Sequence, residues 1–185
     1  MISKKKNKSK LIENLSNKKL GIVGGGQLGK MIAIAASRLG IKTIIYDPDK
    51  YATAFQNANK SYCYSYQDNK MLKVFAKEAD YITYEFENIP LKTLSFLNKN
   101  SKVLPGIKAL KFSQDRLLEK NFISKLGINV VPYYKIDSFS GFEKALKKLN
   151  GNAILKTRRL GYDGKGQSLI KKYGYNIKKN EIVTN

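Results

Sequence analysis

The sequence predicts an α/β fold, a parallel sheet covered by helices, followed by a smaller α+β unit. Three observations carry that reading. Short apolar runs alternate with stretches of helical periodicity over the first 110 or so residues. A glycine cluster, Gly24-Gly25-Gly26-Gln27-Leu28-Gly29, separates the first such run from the first helical stretch. Beyond residue 112 the order changes to helix and hairpin, with a second glycine-rich loop between two strand-like segments. Strands that alternate with helices form parallel sheets, because the crossover between parallel neighbours needs a helix-sized connection.

Taken in order, residues 20–23 are an apolar run closed by glycines, the pattern of a buried parallel strand. Leu28, Met31, Ile32, Ala35, Ala36 and Leu39 then recur on one side of a helix, which Gly40 ends. Residues 43–46 form the second strand, closed by Asp47-Pro48. Residues 69–77 read as a helix with Leu72, Phe75 and Ala76 on one side, and 81–84 as the third strand. Pro90 starts a helix through Leu97, because proline suits the first helical turn. Residues 103–104 make a short strand before Pro105-Gly106. In the second part, 114–126 is an amphipathic helix, 131–136 a strand, 141–149 a helix, and 153–157 and 168–170 strands. The boundaries are a basic tail over 1–17, expected to be disordered, a first domain over 18–112 and a second over 113–185.

Composition excludes several chemistries. The 185 residues contain no His and one Cys, Cys63, so neither a His-based nucleophile system, an ordinary zinc site nor an internal disulfide is available. No apolar run is long enough to span a bilayer, and the Lys-rich start lacks the apolar segment of a secretory signal, so a cytoplasmic protein without a membrane partner is expected. The net charge of +21 raises nucleic acid as a partner. Yet 31 of the 35 basic residues are Lys, spread along the chain, whereas base readout leans on Arg. No specific nucleic-acid partner is therefore expected, and a basic nucleic-acid-binding protein stays as an alternative.

Three segments carry chemistry. The first glycine loop satisfies G-x-G-x-x-G between strand and helix, where backbone amides and the helix N-terminus favour an anion. With Asp47 at the end of strand two it predicts NAD(P) if read alone; a tight turn serving another ligand is the other reading. At the end of strand three, Glu85 and Glu87 are placed to hold a ligand amine or hydroxyls, or else serve the dipole of the following helix. The second loop runs from Lys156 through Arg158, Arg159, Gly161, Tyr162, Asp163, Gly164, Lys165 and Gly166 to Gln167. It is not a Walker A motif, but mixes cations and free backbone as a polyphosphate cradle does; a plain hairpin tip is the alternative.

Together these segments resemble the ATP-grasp superfamily, and within it the 5-(carboxyamino)imidazole ribonucleotide synthase (PurK-like) family. The matching strings are Gly24-Gly25-Gly26-Gln27-Leu28-Gly29-Lys30-Met31, Asp47-Pro48, Thr83-Tyr84-Glu85-Phe86-Glu87-Asn88, Gln114-Asp115-Arg116 with Glu119-Lys120, and the loop 156–167. The resemblance implies a Rossmann-like pre-ATP-grasp domain followed by an incomplete ATP-grasp domain, present here as its small α+β subdomain. It implies a carbon–nitrogen ligase of purine biosynthesis in which ATP phosphorylates bicarbonate. The carboxyphosphate breaks down to carbon dioxide, which the amine of aminoimidazole ribonucleotide captures. ATP-binding positions then fall on Arg116, Lys156 and Gly161, Tyr162, Asp163, Gly164, Lys165, Gly166 and Gln167. Tyr162, Asp163 and Lys165 serve as catalytic candidates; Gln27, Leu28, Glu85 and Glu87 as ribonucleotide-binding ones. The family works with Mg²⁺ and as a homodimer. Its metal ligands follow the region matched here, so no metal-binding residue is expected within this sequence, nor ATP turnover by this stretch alone.

Overall fold

The computed structural model describes residues 17–161 and 164–171. These divide into two compact units, with the boundary between Lys111 and Phe112.

The first unit is a five-stranded parallel sheet in the order β3-β2-β1-β4-β5. Its strands are β1 (Lys19–Val23), β2 (Lys42–Tyr46), β3 (Lys60–Tyr62), β4 (Tyr81–Tyr84) and β5 (Lys102–Val103). Helices α1 (Gln27–Arg38), α2 (Asn69–Glu78) and α3 (Leu91–Asn98) join them, with α4 (Ile107–Ser113) after β5. Side chains alternate across the pleat, so neighbouring residues of one strand enter opposite layers. Ile22 and Ile45 pack with Ala33 of α1 and with Ala54. Val23, Ile44, Tyr46, Tyr62 and Ile82 face the other layer, against Leu72, Phe75 and Ala76 of α2 and Leu94 and Leu97 of α3. The Phe75 ring lies edge-on to Tyr46 and Tyr62, with centroids 5.4 and 6.0 Å away. It also explains the glycine within β1, since a Cβ on Gly21 would sit 2.8 Å from the Phe75 ring.

Two features differ from the sequence expectation. The strand Lys60–Tyr62 and the 3₁₀ turn Thr53–Asn57 before it have no counterpart in it. More instructive is α1, whose buried residues are Gly29, Ala33 and Ala36. Leu28, Met31 and Leu39, expected on one apolar face, are more than half exposed, and Ala35 is exposed with them. The reason is proximity: a Cβ on Gly29 would lie 2.5 Å from the carbonyl oxygen of Gly24. A helix this near to the strand it follows can turn only small residues inward.

The second unit holds α5 (Arg116–Lys125), α6 (Phe139–Lys148) and the antiparallel hairpin β6 (Ala153–Lys156) and β7 (Gln167–Ile170). Asp115 caps α5 and Ser138 caps α6, each carboxylate or hydroxyl oxygen accepting first-turn amides. Phe142, Ala145 and Ile170 are buried, while no residue of α5 is. Residues 131–136, expected as a strand, carry no regular structure. A strand requires a neighbour for its ladder, and among the described residues the second sheet contains only β6 and β7. The expected disordered tail falls almost wholly outside the described residues, as does the end of the second domain after Lys171.

Candidate functional site

In the first unit the chain enters β1 and β2, continues to β3 on one side, then returns to β4 and β5 on the other. Strand order therefore reverses beside β1, and ligands of open α/β sheets bind outside the carboxyl ends of strands at such a point. The residues there are Gly24 and its successors after β1, Asp47 after β2 and Glu85 after β4.

The carboxylates grip the loop. The amide of Gly25 donates to Asp47 Oδ2 at 2.6 Å, and that of Gly26 to Glu85 Oε1 at 3.2 Å. Asp47 also accepts from the Tyr66 hydroxyl (3.1 Å) and the Asp49 amide (2.8 Å). Gly24 is required by its φ of +101°, and a Cβ there would also press the Glu85 carboxylate, 2.9 Å away at Oε1. A dinucleotide would need these same loop amides for its pyrophosphate and Asp47 for its ribose; here Asp47 is occupied in tying down the loop. Of the ribonucleotide candidates, Gln27 and Leu28 are exposed in the first turn of α1, where no side chain caps the helix. Glu85 is half-buried and Glu87 exposed.

Burial raises the Glu85 carboxyl above its usual range; the Gly26 amide pulls it back, and the charges of Asp47 and Glu87 raise it further. A raised folded-state value means stability that is fully present below the unfolded pKa and lost as pH rises through the folded one. Glu85→Gln keeps an acceptor for Gly26 and removes the charge. It should therefore be more stable than the parent at pH 7. That gap should close below about pH 4, where the carboxyl is protonated in both states. Urea unfolding at the two pH values checks this; equal stability at pH 7 contradicts it.

In the second unit, the glycine loop hangs between β6 and β7. Its neck is closed by the Thr157 amide donating to Gly166 O at 2.7 Å. Thr157 packs directly under Gly166, where any Cβ would collide with its hydroxyl, and under Gly161, where a Cβ would come within 2.9 Å. Arg116 holds the loop from the side: its Nη2 donates to Gly161 O (2.5 Å) and its backbone amide to Arg158 O (3.0 Å). Arg158 and Arg159, expected as cations over a polyphosphate, instead pair with Asp115 at 2.7 and 3.4 Å.

Lys156 lies opposite Gln167 in the hairpin, and both are exposed. Strand alternation puts the neighbouring pair Ile154 and Leu169 on the same outward face, 55% and 65% exposed. Sequence reasoning did not single out that exposed apolar pair; the alternation of Ile154 with Lys156 was the signal. Gly164 and Gly166 adopt positive φ, and Lys165 between them is exposed. Tyr162 and Asp163 lie outside the described residues. Among the described residues no group of three or more His, Cys, Asp or Glu side chains is arranged to hold a metal ion. Nor, among them, is any helix long and apolar enough to cross a membrane.

A glycine loop at the switch point of a parallel sheet, followed in sequence by an arginine-anchored glycine loop on a hairpin, defines an α/β protein of the ATP-grasp type. Residues 17–114 match the ribonucleotide synthetase pre-ATP-grasp domain, and the chain belongs to that family. Residues 121–182 match the ATP-grasp domain. Among curated relatives, the N5-carboxyaminoimidazole ribonucleotide synthase of Brucella melitensis is 47% identical over 148 residues, covering 80% of this chain and 41% of that protein. The N5-carboxyaminoimidazole synthetase of Staphylococcus aureus, solved in complex with ADP, superposes with a TM-score of 0.79 at 38% identity, covering 89% and 43%. The N5-carboxyaminoimidazole ribonucleotide synthetase of Thermus thermophilus gives 0.75 at 37% identity, covering 83% and 41%. The chain thus spans about two fifths of the length of the N5-carboxyaminoimidazole ribonucleotide synthases of Brucella melitensis and Staphylococcus aureus.

Proposed function

We propose that the chain supplies the ribonucleotide-side domain and part of the ATP site of a carboxyaminoimidazole ribonucleotide synthase. In that reaction ATP transfers its γ-phosphoryl group to bicarbonate, giving ADP and carboxyphosphate. Loss of phosphate releases carbon dioxide, and the exocyclic amine of aminoimidazole ribonucleotide attacks it to form the new carbon–nitrogen bond. The observation that carries this reading is the pairing, in one chain, of the Glu85-bound glycine loop at the switch point with the Arg116-anchored loop on the hairpin.

Each residue has a physical task in it. Gln27, Leu28 and the first-turn amides of α1 face the ribonucleotide and its phosphate, which a helix N-terminus attracts. Glu85 and Glu87 accept from its hydroxyls or amine. Lys156 and Gln167 contact nucleotide phosphates, with Ile154 and Leu169 giving the base an apolar floor beside them. Arg116 shapes the loop, and the segment Gly161, Tyr162, Asp163, Gly164, Lys165, Gly166 closes over the transferred group and excludes water. Tyr162, Asp163 and Lys165 remain the groups assigned to bicarbonate and its phosphate. Mg²⁺ would accompany the nucleotide, but the described residues offer no ligand set that fits it, so no step is assigned to it. A cytoplasmic, reducing setting suits the single exposed thiol, Cys63, and we assign the complete enzyme to a homodimer by the resemblance.

The nucleic-acid alternative is disfavoured by the arginines. Of four, Arg116, Arg158 and Arg159 are engaged by Gly161 or Asp115. Calorimetric titration tests the proposal. The chain should bind aminoimidazole ribonucleotide and ATP at two separate sites, each saturating at one equivalent, and NAD should not compete with either. Saturable NAD binding without a response to the ribonucleotide would reverse the assignment.

A further inference from the structure

We infer that Asp115 is a positioning residue for the nucleotide loop, an inference that rests on the ATP reading of that loop. Its side chain is 0% exposed, yet it carries a charge and four hydrogen bonds. Oδ1 accepts from the amides of Leu117 and Leu118, each at 3.1 Å, and from Arg158 Nε at 2.7 Å. Oδ2 accepts from Arg159 Nε at 3.4 Å. One carboxylate therefore joins the N-terminus of α5 to the stem of a loop more than forty residues away in sequence. The next residue, Arg116, adds two more ties, from its amide to Arg158 O and from its guanidinium to Gly161 O.

Burial by itself raises the Asp115 carboxyl; the bonds from Arg158 and the two amides outweigh it and hold the group below the usual carboxylate range. The ionised form is thus the one present at neutral pH. A buried carboxylate cannot release its partners without a replacement, because an uncompensated charge away from water is strongly unfavourable. Through Nε, Arg158 in particular is consequently an anchor for the start of the loop. It fixes where the chain leaves β6, and with it the place at which Gly161 and residues 164–167 meet a nucleotide.

Asp115→Asn separates this role from helix capping. Asparagine caps helices as well as aspartate does, so the bonds to Leu117 and Leu118 persist. It cannot hold two guanidinium groups as an ion pair. Amide exchange in the nucleotide-free chain should quicken about tenfold at Gly161 and 164–167, and stay within about twofold across Arg116–Lys125. ATP affinity should fall about five- to tenfold, with affinity for the ribonucleotide unchanged. Arg158→Gln should reproduce the effect, and the double variant should be no worse than either single one, as for two ends of one interaction. Unchanged loop exchange in Asp115→Asn, or equal loosening of α5 and the loop, overturns the positioning role. Failure of the unmodified chain to bind ATP overturns instead the nucleotide reading beneath it.

Discussion

Gly29→Ala should destabilise the first unit by about 2 kcal/mol, although it places the best helix-forming residue inside a helix. On propensity alone the change should stabilise by up to about 1 kcal/mol. Against that stands a Cβ 2.5 Å from the carbonyl oxygen of Gly24, a backbone atom that no rotamer change can move aside. Overpacking of this kind costs about 1–3 kcal/mol or more, and it outweighs the propensity gain. Relief requires α1 to lift from β1, which would also shift Gly26 from Glu85 and open the loop. Gly141→Ala in α6 is the control, since its Cβ would meet only the Ser138 hydroxyl, at 3.2 Å. That variant should be at least as stable as the parent, by up to about 1 kcal/mol. Urea unfolding followed by amide exchange in each unit measures both; a Gly29→Ala protein as stable as the parent would contradict the close approach of α1.

Lys156→Ala should weaken ATP binding about 10- to 100-fold while leaving stability within about 0.5 kcal/mol. The lysine is exposed on the outward hairpin face, so its loss leaves no cavity and no buried charge. A charge-assisted bond to phosphate is worth about 1.5–3 kcal/mol, which sets the range. Ribonucleotide affinity should not change. Arg116→Lys should weaken ATP binding too, by a different route: a lysine has no fixed fork to keep the Gly161 carbonyl in place while the backbone holds Arg158. Calorimetry with both ligands distinguishes the two cases from unfolding.

Much of the fold is legible in the sequence because its two central buried strands, β1 and β2, are consecutive apolar runs. The expected strands 20–23, 43–46 and 81–84 correspond to β1, β2 and β4. The strand Lys60–Tyr62 escapes because it is an edge strand, with only Tyr62 buried and no apolar run to announce it. The buried side of α1 differs from expectation because hydropathy favours Leu28, Met31 and Leu39, whereas close packing on β1 selects Gly29, Ala33 and Ala36. Periodicity reports which residues are apolar; it does not report how near the next layer lies.

The candidate site is legible as strings and not as bonds. Glycine spacing locates both loops. That Asp47 spends itself on the Gly25 amide, and Asp115 on Arg158, depends on contacts 22 and 43 residues apart in sequence. Arg158 and Arg159 illustrate the difference: beside glycines they read as phosphate cations, and the fold gives them a buried carboxylate instead.

On the proposed reading, one chain carries a ribonucleotide site on its first unit and part of an ATP site on its second. Amide chemical shifts followed during separate titrations with aminoimidazole ribonucleotide, ATP and NAD test this most directly. The ribonucleotide should move Gly24 to Gly29, Glu85 and Glu87, and ATP should move Lys156, Gly161 and 164–167. NAD should leave both sets in place. Shifts at Gly24 to Gly29 with NAD and none with the ribonucleotide would contradict the two-site assignment.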